Sequence, residues 1–340
     1  MKNFKNLLLI IVIVLTISCN NNKNVPDVSS IKVDVNIKRF EQDFFKIDTN
    51  KIGNSLNEIN KKYPSFLPDY LYKILGLTPP EDTVIAQTKL FLKDSIYNNI
   101  YELAEKKFNN FNDTKKELTL ALKLVKYYFP KYQPPTNVYT FIGPLDGVGT
   151  AITSDHSFAV GLQGYLGKDY PAYQLGYIVQ TYPSYKSRRF EPQYISTNCI
   201  KNVIEEIFPN PSNGRPLVER IIEEGKRMYL LDALLPYTAD TIKTGYTQSQ
   251  LDQCYKNEKN IWAFFIQGNL LFEREPSLIN PYVTDGPKTQ ELSETSPGNI
   301  GQFTGWQIVK AYMKSHQKLS MQELMQTPTM NIFNEVSYNP

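Results

Sequence analysis

Two adjacent pairs of glutamates occupy one stretch of the sequence where their spacing could support chemistry. Residues 198–236, NCIKNVIEEIFPNPSNGRPLVERIIEEGKRMYLLDALLP, have the apolar periodicity of a helix, a short loop and a second helix. The first helix carries Glu205 and Glu206, and the second carries Glu223 and Glu224. Carboxylates on neighbouring helices can hold a divalent metal ion or exchange protons with a substrate. This stretch is therefore where hydrolytic chemistry has to be tested first.

The zinc-binding motif His-Glu-x-x-His is missing from the stretch. The motif works because residues four apart lie on one face of a helix, so both imidazoles reach the same metal ion. When the motif is laid over residues 204–208, the ligand positions fall on Ile204 and Phe208, which have no lone pair to donate. The two histidines of the chain, His156 and His316, are far apart in sequence. We therefore expect no zinc site, no cofactor and no peptidase activity.

Glu224 differs from the other acids because it falls inside an apolar stripe. A buried carboxylate must be paired or protonated, so Glu224 is a site residue, the partner of an arginine such as Arg215 or Arg227, or an acid at the edge of the stripe that reaches water. Gly225 beside it would let another backbone approach closely. On the preceding helix the apolar stripe leaves Glu205 on the polar side, and this residue is a cleft candidate only together with Glu224. The stripe has steps of four and three and consists of Leu217, Ile221, Glu224, Met228 and Leu231.

The N-terminus predicts a lipid anchor. It reads MKNFKNLLLIIVIVLTISC, with a basic start, an apolar run at residues 7–15 and a serine before Cys19. The run is too short to span a membrane and is typical of a signal peptide. We expect residues 1–18 to be removed, Cys19 to be acylated and residues 19–30 to form a polar tether. An ordinary signal peptide with a chance cysteine and an uncleaved anchor are the alternatives.

The other two cysteines, Cys199 and Cys254, lie in different predicted helices. A cell-envelope compartment permits a disulfide, but a bond requires the two Cα atoms to come within about 7 Å. Nothing in the sequence brings these two positions together. Two buried thiols are therefore the favoured prediction.

The charge balance argues against a nucleic-acid partner. The chain has 37 Lys and Arg against 34 Asp and Glu, a net charge of +3 that falls to +1 when Lys2 and Lys5 leave with the signal peptide. A nucleic-acid-binding domain usually carries a strongly basic face. Arg188 and Arg189 form a small basic site that could meet an acidic partner or a lipid headgroup, although a solvated loop is their expected setting.

The patterns along the chain predict an α+β fold. Residues 31–37 alternate like a strand, residues 56–129 have helical periodicity, residues 137–162 are β-branched with several glycines, and helical patterns return from residue 195. We therefore expect one mainly helical domain over residues 31–340 with a small antiparallel sheet.

Two helix starts have strong local signals. Thr247-x-x-Gln250 has the form of a capping box and predicts a long helix that continues to Phe272. Ser320-x-x-Glu323 has the same form before the last helical stretch.

The lipoprotein N-terminus and five phrases of the sequence resemble the gliding-motility lipoprotein B (GldB) family of the Bacteroidetes. The phrases are distributed over nearly the whole chain after Cys19, and their combination is specific. The family is similar in outline to zincin-like metallopeptidases, a resemblance that would put Glu224 at the third-ligand position of a degenerate site. The phrases are VYTFIGPLDGVGTAIT, GLQGYLGKDYPAY, KRMYLLDALLP, NEKNIWAFFI and SPGNIGQFTGWQIVKAYM.

The resemblance implies a lipid-anchored envelope protein that gliding motility requires and that is linked to the type IX secretion machinery. The expected position is the periplasm-facing outer membrane, because no acidic cluster follows Cys19. The leading hypothesis is a non-catalytic protein that binds other components of this machinery. One alternative is a peptidoglycan-binding module that uses the tyrosines of residues 165–185 as stacking platforms. The other is a residual metal-independent hydrolase that uses Glu205 and Glu224.

Overall fold

Four short strands form one mixed sheet in the computed structural model, which describes residues 25–210 and 214–340. Across the sheet the strands lie in the order β1, β2, β4, β3. The pairs β1–β2 and β2–β4 are parallel, and β3–β4 is antiparallel. The strands are β1 (Asn36–Arg39), β2 (Asn137–Phe141), β3 (Thr150–Ile152) and β4 (Phe158–Gly161).

The expected α+β class with a mainly helical domain is confirmed, and only the orientation of the strands differs from the prediction. The whole set of N-terminal helices separates β1 from β2, and so long a crossover lets the two strands run in the same direction. Only β3 and β4, which are joined by a tight turn at Ser154–His156, form the expected hairpin. Residues 31–35 keep the predicted alternation of burial but precede the ladder, which begins at Asn36.

In the sequence, one set of helices lies between β1 and β2, and a second set follows β4. The N-terminal set precedes β2 and includes a π-helical turn, Asp69–Ile74. It consists of α1 (Phe40–Phe44), α2 (Ile52–Lys62), α3 (Phe66–Pro68), α4 (Glu81–Lys93), α5 (Ser95–Lys107) and α6 (Asn112–Tyr128). The C-terminal set follows β4 and consists of α7 (Gly176–Thr181), α8 (Ser184–Ser187), α9 (Ile195–Ile207), α10 (Leu217–Leu234), α11 (Asp240–Thr244), α12 (Gln248–Lys256), α13 (Glu258–Gln267), α14 (Pro276–Val283), α15 (Ile300–Ser315), α16 (Met321–Gln326) and α17 (Thr329–Glu335).

Helix α10 links the two largest hydrophobic cores. Its C-terminal half, including Met228 and Leu231, packs with α6, α9 and the sheet. Its N-terminal half, including Leu217 and Ile221, packs with the C-terminal helices. These four side chains are all buried, so the apolar stripe predicted around Glu224 is confirmed. Because α10 takes part in both cores, its polar side chains have fixed positions relative to both halves of the fold.

The helix predicted from Thr247 to Phe272 is divided in two. The capping box between Thr247 and Gln250 is present at the start of α12, as is the one between Ser320 and Glu323 at the start of α16. Helix α12 ends at Lys256 because Asn257 turns its side-chain amide back to the Gln253 carbonyl oxygen, at 2.9 Å. Asparagine competes in this way with the backbone hydrogen bonds of a helix.

The backbones of helices α10 and α15 are in direct contact at two glycines. A Cβ atom placed on Gly225 would lie 2.1 Å from the carbonyl oxygen of Gly305. A Cβ atom placed on Gly305 would lie 1.8 Å from the carbonyl oxygen of Ile221. The close approach expected at Gly225 is therefore confirmed, and its partner is a second glycine.

A buried lysine also joins these two helices. Lys243 on α11 is fully buried, contacts Asp232 and lies 2.7 Å from Asp240. The Trp306 indole on α15 donates a hydrogen bond of 2.9 Å to Asp232, and the Lys310 ammonium lies 3.4 Å from the centre of the Trp306 ring. Burial by itself lowers the pKa of Lys243, but the two carboxylates outweigh burial and raise it above that of a free lysine. The folded state therefore favours the charged ammonium.

Replacing Lys243 by methionine should lower the free energy of unfolding by about 3 kcal/mol, because Asp232 and Asp240 would lose their buried cation. Urea denaturation of the two proteins at neutral pH measures this difference. Since the folded pKa is raised, the contribution of Lys243 is present in full below the pKa of an unfolded lysine. It is lost as the pH rises through the folded pKa. Lys256→Met on the exposed face of α12 is the control, and equal losses for the two variants would contradict the assignment.

Candidate functional site

Glu224 lies at a small cavity between α9 and α10. The cavity has a volume of about 200 Å³, and Lys201, Glu205 and Arg227 are among the residues that line it. The Asn210 side-chain amide donates a hydrogen bond of 3.0 Å to the Glu224 carboxylate. The structure therefore brings together Glu205 and Glu224, the two candidates chosen from the sequence, although they come from different helices.

Positively charged side chains around this cavity interact with the carboxylates of Glu205 and Glu224. Burial raises the pKa of Glu224, while the positive charges of Arg227 and Lys201 oppose that rise. Arg227 forms an ion pair of 2.9 Å with Glu205 and a longer one of 3.9 Å with Glu223. Arg227 is thus the predicted arginine neighbour of Glu224, but its direct ion pairs go to the other two acids. Glu205 is therefore engaged by a cation rather than free in the cavity.

The α9 residues that face the cavity are not both of the positions to which the zinc motif aligns. The polar residues of α9 that share the cavity with Glu224 are Lys201 and Glu205, which are one helical turn apart. Ile204 also lines the cavity, but Phe208 packs against Phe129 with ring centroids 5.4 Å apart. The two positions facing Glu224 therefore hold an ammonium and a carboxylate.

The histidines do not converge on this cavity. His156 lies 3.2 Å from Glu206 and 2.7 Å from the carbonyl oxygen of Gln133, and His316 stacks on Tyr312. Across residues 25–210 and 214–340, no three His, Cys, Asp or Glu side chains are placed to hold one metal ion.

A second concavity, the polar cleft, shares Lys201 with the first. Its volume is about 280 Å³, and its positive side chains are Lys186, Arg189 and Lys201. No single stretch of the sequence predicts this cleft, because its walls come from separate stretches between residues 145 and 245. The remaining lining residues are Leu145, Gly147, Gly149, Thr150, Gln163, Gly164, Tyr165, Tyr182, Phe190, Tyr194, Asn198, Ile242 and Gly245.

A third and wider concavity, the open groove, runs between α5 and residues 166–175. Its volume is about 1060 Å³. Ile96 and Leu175 line it and are 39% and 38% exposed, and the neighbouring Tyr177 is 50% exposed. Charged side chains of both signs, including Lys106 and Asp169, complete the walls. A groove of this size with exposed apolar residues can take up a segment of another polymer.

The tyrosine-rich segment between residues 165 and 185 is more buried than a row of stacking platforms would be. The side chains of Tyr165 and Tyr173 are buried, and the Tyr173 hydroxyl donates a hydrogen bond of 2.5 Å to the Gln163 carbonyl oxygen. Tyr177 presents half of its surface to solvent. Two of the tyrosines proposed for glycan stacking therefore belong to the core.

Cys199 and Cys254 are free and buried thiols, as predicted. They belong to different hydrophobic cores, so they are not positioned to pair. Burial raises the pKa of Cys254 to about 12 and raises that of Cys199 further, so both remain protonated at neutral pH.

The predicted signal peptide, residues 1–18, and the lipidation site Cys19 lie outside the residues that the structure describes. Of the predicted tether, residues 25–30 are described, and Val28 is buried against the core. None of the described helices is both long enough and apolar enough to cross a membrane.

A match to a family model identifies the class to which this protein belongs. The family model described as gliding motility protein GldB matches residues 21–340, nearly the whole chain. The protein is therefore a gliding-motility-related lipoprotein, and the chain belongs to the GldB family. No curated protein and no solved structure matches the chain.

Proposed function

We propose that this protein is a non-catalytic, lipid-anchored envelope component that binds another protein of the gliding and secretion machinery in the open groove. The observation that supports the proposal is the groove itself, with Ile96 and Leu175 exposed in its walls. Exposed apolar residues that share a concave surface favour association with a partner. The mixed charges of Lys106 and Asp169 suit the polar rim of a protein interface.

The state of the acidic residues also supports a binding role. A general base has to reach a substrate in its ionised form with a free lone pair. Glu205 is engaged by Arg227, and Glu224 accepts a hydrogen bond from Asn210 in a cavity of about 200 Å³. These contacts favour a structural role for both carboxylates and support the non-catalytic proposal. Attachment through an acylated Cys19 at the periplasmic face of the outer membrane completes the proposal.

Replacing Leu175 by arginine should abolish or strongly reduce gliding, because a charge placed in the apolar wall would oppose desolvation by a partner. Leu175 is already 38% exposed, so the fold should tolerate the change. The measurement is the spreading of cells that carry only the variant, together with its level in the membrane fraction. Tyr237→Arg is the control, because Tyr237 is 79% exposed on a different surface.

The partner can be identified with a photo-crosslinking residue placed at position 175 in living cells. We expect it to capture a component of the gliding or secretion machinery, whereas the same residue at position 237 should not capture that component. Normal spreading by Leu175→Arg cells would contradict the groove as the binding surface. Capture of cell-wall fragments at position 175 would instead support the glycan-binding alternative.

A further inference from the structure

We propose that the polar cleft is a binding site for a phosphate group, held by Lys186, Arg189 and Lys201. This site is separate from the open groove and is not required by the partner-binding proposal. Three elements supply the cations: α8 carries Lys186, the loop after it carries Arg189, and α9 carries Lys201. A cleft whose charged lining residues are all positive selects an anionic ligand.

Arg189 is fixed in place before any ligand arrives. Its guanidinium forms an ion pair with Asp285, and it packs on the backbone of Gly245. Gly245 has a φ of +74°, and a Cβ atom there would lie 2.9 Å from the guanidinium nitrogen Nη1. The adjacent Arg188 donates a hydrogen bond of 2.8 Å to the Gly245 carbonyl oxygen. The arginine pair expected in a solvated loop is thus held against α11, and one member lines the cleft.

The two lysines carry the charge that a ligand would neutralise. Within the described part of the chain, neither Lys186 nor Lys201 has a carboxylate within ion-pair distance, and Lys186 approaches only the ring of Tyr185, at 5.9 Å. The charge of Arg189 is already balanced by Asp285. Two unbalanced positive charges match the charge of roughly −1.5 to −2 on a phosphate monoester better than the single charge of a carboxylate.

The polar groups of the cleft complement a phosphate. Asn198 donates a hydrogen bond of 2.8 Å to the hydroxyl of Tyr165, and both residues line the cleft. Tyr194 also lines the cleft. Hydroxyl groups donate to phosphate oxygens, and lysine ammonium groups bind them as point charges. The volume of about 280 Å³ suits a phosphate with a small substituent.

The proton affinity of Lys201 agrees with this assignment. The protein atoms around Lys201 reduce the hydration of its ammonium, and together with the charge of Arg189 they lower its pKa to about 8, while Glu224 and Asp285 act in the opposite direction. By its surface area Lys201 is an exposed residue, so a dissolved anion can reach it. A phosphate beside it would favour the ammonium form and cause proton uptake. Above pH 8 the empty site would lose one of its charges.

The full chain in detergent micelles, titrated with inorganic phosphate at constant ionic strength, tests the proposal. We expect saturable binding at pH 7 in the millimolar range. Lys201→Gln and Lys186→Gln should each weaken it at least tenfold. The affinity of the unmodified protein should fall several-fold between pH 8 and pH 9.5, a range in which phosphate stays dianionic. Lys256→Gln changes the net charge equally at a distant surface and should leave binding within twofold.

Two further titrations define the ligand. Acetate at the same ionic strength should bind at least tenfold more weakly than phosphate, because it carries one charge. Micelles that contain phosphatidic acid should compete with phosphate if the natural source is a lipid headgroup, and should not compete if the source is a small soluble phosphate. Absence of saturable phosphate binding, acetate binding as tight as phosphate binding, or an equal effect of Lys256→Gln would each overturn the proposal. None of these results would alter the test of the groove.

Discussion

Replacing Gly305 by alanine should unfold the domain or lower its free energy of unfolding by at least about 4 kcal/mol. The added methyl carbon would lie 1.8 Å from the Ile221 carbonyl oxygen, and this atom belongs to helix backbone and cannot turn away. Relief requires α10 and α15 to separate, which opens the packing of buried residues such as Trp306. Overpacking that moves whole helices costs more than an ordinary core substitution. Circular dichroism and urea denaturation measure the loss.

Gly176→Ala is the matched control for this substitution. Gly176 begins α7, and a Cβ atom there would meet no atom within 4 Å. Alanine favours a helix over glycine, so this variant should equal or slightly exceed the unmodified protein in stability. Gly225→Ala should resemble Gly305→Ala, because its Cβ atom would lie 2.1 Å from the Gly305 carbonyl oxygen. A Gly305→Ala protein with an unchanged urea midpoint would show that the two helices are farther apart than described.

The sequence alone predicted the features that depend on residues close to one another in the chain. The capping boxes at Thr247 and Ser320 were predicted because each uses residues three positions apart. The buried stripe on α10 was predicted because helical periodicity is a property of a single segment. The division of the helix at Asn257 was missed, since the apolar stripe continues past this residue and the side-chain hydrogen bond that competes with the helix depends on the orientation of Asn257.

The orientation of the strands could not be derived from the same signals. Strand β1 and strand β2 are separated by the N-terminal helices, and an alternating pattern does not specify which strand it pairs with. The expectation of an antiparallel sheet came from the one hairpin that is local, β3–β4. A parallel pairing depends on how the intervening helices cross the sheet, which is a property of tertiary packing.

Only part of the candidate site could be predicted from the sequence, because tertiary packing brings its other residues together. Glu224 was singled out because a carboxylate in an apolar stripe is conspicuous within one helix. Its neighbours Lys201 and Asn210 were missed, because the rotation of α9 against α10 decides which residues face the cavity. The polar cleft was missed altogether, since its three cations have no common spacing. The one available signal was Arg188-Arg189 in a segment rich in tyrosine and proline.

Replacing Cys19 by alanine should release the protein from the membrane. Acylation of this cysteine would attach three chains, and each buried methylene contributes about 0.8 kcal/mol, so the anchor should be the dominant attachment. Radiolabelled palmitate incorporation and fractionation of cells measure the loss, which we expect to be complete for labelling and to end gliding. Cys254→Ala removes a buried thiol instead and should keep both label and membrane position. Because the two substitutions delete the same chemical group, a label that persists in Cys19→Ala would place the acyl chains on another residue. Membrane retention without a label would show that attachment depends on the uncleaved apolar segment at residues 7–15.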